Sequence, residues 1–292
     1  MYTATGKWVT LLSLKAGDLA VDLAPSLGGA IARFAFAGVD LLRPLSAGAT
    51  ASAAAAYPLV PYSNRIANGV LAVDGTTWRL APNWPGSIHP MHGEGWRWPW
   101  RVAAQDARSA MLVQDYGGAT GGSAGGWPFR YCARQAFRLD EGALRVEMAI
   151  ENLEDRAVPA GLGLHPFFVR DPDTTLAFRA AAVWLGDRDI LPVERVPVPT
   201  EWRHDDPRVA VTGLDNCFDG WDGRATIAWP RRGWRLELRA SEPFRHAVVY
   251  TPPGRDYLCV EPVSHANGRI AETRLAAGAT LSGTIDFRLS LS

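Results

Sequence analysis

Lysine is almost missing from this chain: of its 30 Lys and Arg residues only Lys7 and Lys15 are lysines, both close to the start. No later motif can hold a Schiff-base lysine or the lysine of a phosphate loop, which removes several enzyme classes. Cysteine is scarce as well. Cys132, Cys217 and Cys259 are odd in number and far apart, a pattern of neither a disulfide framework nor a zinc knuckle, and they read as buried thiols. An excess of one charge is also lacking, with 30 acidic residues against 30 basic ones. That balance gives no electrostatic reason to bind nucleic acid or an anionic membrane surface, and a neutral small molecule is the partner it fits.

Long apolar runs are absent too. Residues 47–56 are small and too weakly hydrophobic for a membrane span. Residues 8–14 are largely apolar but lie between Lys7 and Lys15, and no small-residue cleavage site follows them as a secretory signal requires, so a cytoplasmic protein is expected. No long segment repeats apolar residues at helical spacing.

What is present is the composition of a globular protein, with 47% hydrophobic and 21% charged residues in a chain of 292. A chain of this length is expected to form one domain over residues 1–292 when it is all-β. Apolar and polar residues alternate over residues 19–23, 30–36, 78–80, 111–114, 144–150, 234–239, 247–250 and 284–289, which predicts strands. Turn signals fall between them, at Leu27-Gly28-Gly29, Val73-Asp74-Gly75, Asp140-Glu141-Gly142, Arg231-Arg232-Gly233 and Pro252-Pro253-Gly254. Short strands punctuated by 29 Gly and 21 Pro point to an all-β sandwich or barrel. The glycine-rich residues 117–126 read as a surface loop inside that domain, because strand signals resume on both sides.

Polar, chemistry-bearing residues gather in a few islands. In Tyr62-Ser63-Asn64-Arg65-Ile66-Ala67-Asn68-Gly69 an Arg flanked by amides offers a fork of donors to hydroxyl or carboxylate oxygens; by itself the segment reads sooner as a solvated turn ending in Asn-Gly. In His89-Pro90-Met91-His92-Gly93-Glu94-Gly95-Trp96 two histidines stand three apart, but no third ligand or helix supports a metal pair. His92 on its bend, with tryptophans behind it, resembles a donor in the wall of an aromatic pocket. His165, in Gly161-Leu162-Gly163-Leu164-His165-Pro166-Phe167-Phe168, is a desolvated imidazole suited to giving up a proton, or a core histidine satisfied by a carbonyl. Glu261, at the end of the apolar Tyr257-Leu258-Cys259-Val260-Glu261, is a carboxylate that must be paired, hydrogen-bonded or functional. Asp215, before Asn216-Cys217-Phe218, reads alone as a turn.

Taken in order, Asn64-Arg65, His92-Gly93, His165-Pro166, Asp215 before an aromatic and Glu261-Pro262 resemble the aldose 1-epimerase (galactose mutarotase) family. Each motif is weak singly; five in the same order are specific. The resemblance implies a large β-sandwich of the galactose mutarotase-like supersandwich type, acting on a monosaccharide without cofactor or metal, as a monomer or homodimer. It assigns Glu261 as general base, His165 as general acid and His92 as an assistant near the ring oxygen, with Asn64, Arg65 and Asp215 holding sugar hydroxyls. The activity implied is interconversion of the α and β anomers of a free aldose; a hexose-6-phosphate mutarotase or a non-catalytic carbohydrate-binding protein on the same fold are the alternatives. The best-known galactose mutarotases have His-Gly-Gly where this chain has His92-Gly93-Glu94, and a Thr-containing His segment where it has Gly163-Leu164-His165-Pro166, which points to a bacterial branch of broader sugar preference.

Overall fold

The computed structural model describes residues 9–118 and 125–291. Lys7, Trp8 and the middle of the glycine-rich stretch lie outside the described residues. The remainder of the N-terminal apolar run leads into an edge strand, Leu12–Ala16.

Two large antiparallel sheets dominate the described residues. One runs in the order Leu12–Ala16, Leu19–Ala24, Ala30–Phe36, Ala56–Leu59, Gly163–Val169, Tyr257–Val263, His246–Tyr250, Asp215–Asp219, Ala182–Gly186 and Pro192–Pro197, with the short Val39–Asp40 beside the third. The other runs His204–Val209, Thr175–Phe178, Arg224–Trp229, Trp234–Ala240, Thr280–Leu291, Ala143–Asn152, Tyr131–Asp140, Ser109–Tyr116 and Arg101–Gln105. They face each other across a shared core in which Phe34 and Phe168 of the first sheet meet Phe287 of the second, at ring separations of 6.0 and 6.2 Å. This is the large β-sandwich that the sequence predicts. All eight predicted segments fall on strands, with Leu80 alone one residue beyond the end of Thr76–Arg79.

The two sheets differ in a way that places the site. In the second sheet, strands such as Ala143–Asn152 alternate buried and exposed residues, because one side packs on the core and the other meets water. In the first sheet the central strands are buried on both sides: Ala56–Leu59, Gly163–Val169 and Tyr257–Val263 have hardly an accessible residue. Their inward side chains, Leu164, Phe168, Leu258 and Val260, belong to the shared core. Their outward ones, Tyr57, Phe167, Cys259 and Val263, join a second apolar cluster with Trp96 and Leu45 from covering loops. Those loops are stitched together by their backbones. Glu94 and Gly95 both donate to the Val60 carbonyl at 2.8 Å, His92 donates to Asn64 at 2.9 Å, and Ile66 donates to Pro90 at 3.1 Å.

Candidate active site

His165 and Glu261 sit on neighbouring central strands. The register pairs Gly163 with Val263 and Phe167 with Cys259 and so sets His165 across from Glu261, yet no ladder pairing is made between those two points. Pro166 and Pro262 explain the gap, since neither has an N–H to donate and a ladder cannot close through them. The strands part there, and the pair of side chains occupies the opening on the outward face. His165 Nε2 lies 3.3 Å from Glu261 Oε1, and both residues are buried, at 7% and 2% accessible.

His92 arrives from the loop over the sheet, in the left-handed backbone conformation at φ 62°. Gly93 follows at φ 69°, where a Cβ would fall 2.2 Å from the Val60 oxygen. The bend therefore needs a glycine at 93 for space as well as conformation. The Asn64 backbone N–H donates to His92 Nδ1 at 3.1 Å. With Nδ1 accepting, the proton of the neutral ring belongs on Nε2, so His92 is a fixed donor. Burial, reinforced by the Arg65 charge, pulls its pKa down to about 3 and keeps it neutral. Its ring meets that of His165 edge-on at 5.4 Å.

A cavity of about 220 Å³ opens over the pair, lined by Asn64, Arg65, His92, His165, Asp215 and Glu261 together with Arg43, Tyr57, Trp84, Phe167, Tyr250 and Tyr257. Every candidate named from the sequence thus meets in one place. Asn64 spends its side-chain oxygen on Arg65, accepting from the backbone N–H at 2.9 Å and the guanidinium at 3.3 Å, and so aims the guanidinium. Asp215, which by itself read as a turn, opens the strand Asp215–Asp219, paired with Tyr250 of the next. Burial raises its pKa and Arg65 opposes the rise. Burial likewise drives Glu261 well above the ordinary carboxylate range, with Asp215 adding and Arg65 opposing. The His165 imidazole is pushed the other way, chiefly by burial and then by His92 and Arg43. Both shifts favour uncharged forms.

Several lining residues were not anticipated. Phe167 stacks on His165 at 4.4 Å and Tyr57 lies 4.8 Å from it on another side. Arg43 lies over Phe167 at 3.8 Å and Tyr257 at 4.6 Å, and donates to the Ser52 and Ala54 carbonyls. A strand rule would have found part of this set: residues two and four places from His165 or Glu261 share their face, which names Phe167, Cys259 and Tyr257. Arg43 and Trp84 come from loops and carry no such signal.

The remaining histidines make contacts elsewhere, within loops and between strands. His265 accepts the Ser63 N–H at Nε2 (3.1 Å) and faces the Ala266 carbonyl with Nδ1 (2.9 Å). His89 accepts the Asn68 N–H (2.9 Å), and His204 bridges the Trp202 carbonyl and Val211 N–H. His246 pairs with Asp219 at 3.1 Å. The segment after His92 is a buttress: buried Glu94 accepts from Arg97 at 2.7 Å and from the Trp98 indole at 3.2 Å, and Trp96 packs 5.5 Å from Trp84 behind the cavity wall.

Comparison with known proteins agrees with this arrangement. The chain is 28% identical over 268 residues to the uncharacterized protein YphB of Escherichia coli K12, covering 88% of this chain and 89% of that one. Among solved structures, a candidate aldose 1-epimerase from E. coli K12 superposes with a TM-score of 0.89 at 27% identity, covering 98% of this chain and all of its own (100%). A GalM/aldose epimerase homologue from C. elegans shares the fold at a TM-score of 0.82 and 17% identity, covering 97% of this chain and 99% of its own. The family model for aldose 1-epimerase spans residues 10–288. With that match running across both sheets and all five motifs, the chain belongs to the aldose 1-epimerase family.

Proposed function

We propose that the protein is a mutarotase, exchanging the α and β anomers of a free aldose with Glu261 and His165 as the proton-transfer pair. The observation that carries this reading is the 3.3 Å approach of His165 Nε2 to Glu261 Oε1 on the floor of the cavity. A pyranose presents two oxygens on one carbon, the anomeric hydroxyl and the ring oxygen, and a carboxylate and an imidazole this close serve both at once.

In ring opening, Glu261 takes the anomeric hydroxyl proton, the bond from C1 to the ring oxygen breaks as the carbonyl forms, and His165 protonates the ring oxygen. Rotation about C1–C2 turns the other carbonyl face to the ring hydroxyl, and closure reverses each transfer. A single proton passes from imidazole to carboxylate through the sugar and back. Burial works against the charged pair that water would favour, which eases transfer of that proton to the carboxylate. His92, held as a donor by Asn64, supports the developing charge on the ring oxygen, while Arg65 and Asp215 hold hydroxyls. Both cavity arginines are already engaged, Arg43 by two carbonyls and two rings and Arg65 by the Asn64 side chain, so no free cluster of guanidinium groups awaits a phosphate. A neutral sugar suits such a lining better than a phosphorylated one.

The test is anomer exchange of glucose, galactose and glucose 6-phosphate, followed by polarimetry or NMR from a pure anomer. Exchange well above the spontaneous rate for a neutral hexose supports the reading. Sugar binding without exchange selects a non-catalytic binder, and exchange confined to glucose 6-phosphate selects the phosphosugar enzyme.

A further inference from the structure

We propose that Cys259 joins His165 and Glu261 in a three-ligand site for a thiophilic divalent cation of the zinc kind, and that its occupation switches the cavity off. An imidazole nitrogen, a thiol sulfur and a carboxylate oxygen from these residues all lie within 4.8 Å of one another. The strands explain why. Cys259 stands two places before Glu261 on Tyr257–Val263 and so shares its outward face, and it pairs with Phe167, two places after His165. His89 and His92 have a metal-like spacing in the sequence but no third ligand, and the fold turns His89 to a backbone N–H.

Zinc bonds of about 2.0–2.3 Å to N, S and O ligands in tetrahedral array bring the donors to roughly 3.5 Å apart, a contraction that side-chain rotation supplies. A nitrogen, a sulfur and an oxygen suit zinc and disfavour magnesium or calcium, which demand oxygen. Two of the donor groups also have bonding capacity to spare: Glu261 Oε2 and His165 Nδ1 are buried without a hydrogen-bond partner. Thiolate and carboxylate together neutralise a divalent ion, so a bound zinc leaves no excess charge in this water-poor site. On binding, the thiol gives its proton to solvent, as does the Glu261 carboxyl when it holds one, and three protein ligands leave a fourth position open. The cation then occupies the imidazole lone pair and the carboxylate that the exchange reaction requires. Cation binding stands independently of the mutarotase reading; only the loss of exchange rests on it.

The experiment begins with chelator-treated protein titrated with Cd²⁺ or Co²⁺, followed by thiolate-to-metal charge-transfer absorption, with Zn²⁺ as competitor. The expected result is one metal per chain, a charge-transfer band displaced by zinc, and no band in Cys259→Ser or Cys259→Ala. In parallel, Zn²⁺ suppresses anomer exchange and a chelator restores it, whereas the Cys259 variants need at least ~10-fold more zinc. Absence of stoichiometric binding, a band that persists without the thiol, or equal zinc sensitivity in wild type and both variants overturns the proposal. Should exchange be undetectable in any condition, the mutarotase reading fails while the spectroscopic titration still decides the site. A variant that does not fold is set aside for the other, and Glu261→Gln supplies a further loss of the same band.

Discussion

Replacing Glu261 by glutamine separates a catalytic carboxylate from a structural one. The substitution keeps the shape and one acceptor oxygen but leaves no group able to take up the anomeric proton. A positioned base contributes on the order of 10²–10⁴-fold, so exchange falls by that factor, equivalent to about 2.7–5.4 kcal/mol of barrier at 1.36 kcal/mol per decade. Stability moves differently. Glu261 is 2% accessible, its Oε2 has no partner, and burial already opposes its charge. Exchanging such a group for a neutral amide leaves the urea midpoint unchanged or raises it, as removal of a functional buried charge commonly does. Adding His165→Asn then costs little further activity, because two groups that move one proton act as a unit. The assay is the NMR or polarimetric approach to anomeric equilibrium from a pure anomer, with the spontaneous rate subtracted, beside a urea titration. Wild-type exchange in Glu261→Gln, or activity lost only in step with stability, refutes the reasoning.

Two more outcomes follow from the loop geometry. Gly93→Ala forces a Cβ to 2.2 Å from the Val60 oxygen at φ 69°, whereas Gly75→Ala, at φ 78°, meets nothing within 4 Å. The second variant loses only the roughly 1–2 kcal/mol of left-handed strain, while the first loses more and its exchange activity as well, since His92 rides on the displaced bend; equal urea midpoints for the two variants would contradict this. His265, pulled down to about 4 by burial, is neutral in the folded protein and titrates near 6.5 when unfolded. Its folded pKa is depressed, so its contribution is intact above the unfolded value and drains as pH falls from 6.5 toward 4, costing about 2 kcal/mol by pH 5. His265→Gln, whose amide oxygen can still accept from Ser63, removes that amount from the fall in unfolding free energy between pH 7 and pH 5 measured by urea titration, and an unaltered pH slope removes His265 as the source.

Much of this architecture was legible locally. Strands such as Ala30–Phe36 and Ala143–Asn152 announce themselves because alternation is written into adjacent residues and the glycines mark where the chain must turn. The strands that build the site were harder to see. Ala56–Leu59, Gly163–Val169 and Tyr257–Val263 each carry a proline and are buried on both faces, so alternation is lost and proline argues against a central strand. Two of those prolines, Pro166 and Pro262, are the means by which the sheet opens around His165 and Glu261.

The sequence by itself determined the all-β class, the family and the set of polar residues that line the cavity, because strand period and an ordered set of motifs are properties of the chain read along its length. Tertiary structure alone decided that His165 and Glu261 stand 3.3 Å apart, that His92 is a donor because Asn64 occupies its other nitrogen, and that Arg43 and Trp84 close the cavity. It also decided that His89, His204, His246 and His265 serve other contacts, and that Cys259 stands with the pair rather than apart from it. Distance, burial and tautomer are set by what packs across from a side chain, and that neighbour is brought by strand pairing and loop closure from far along the chain.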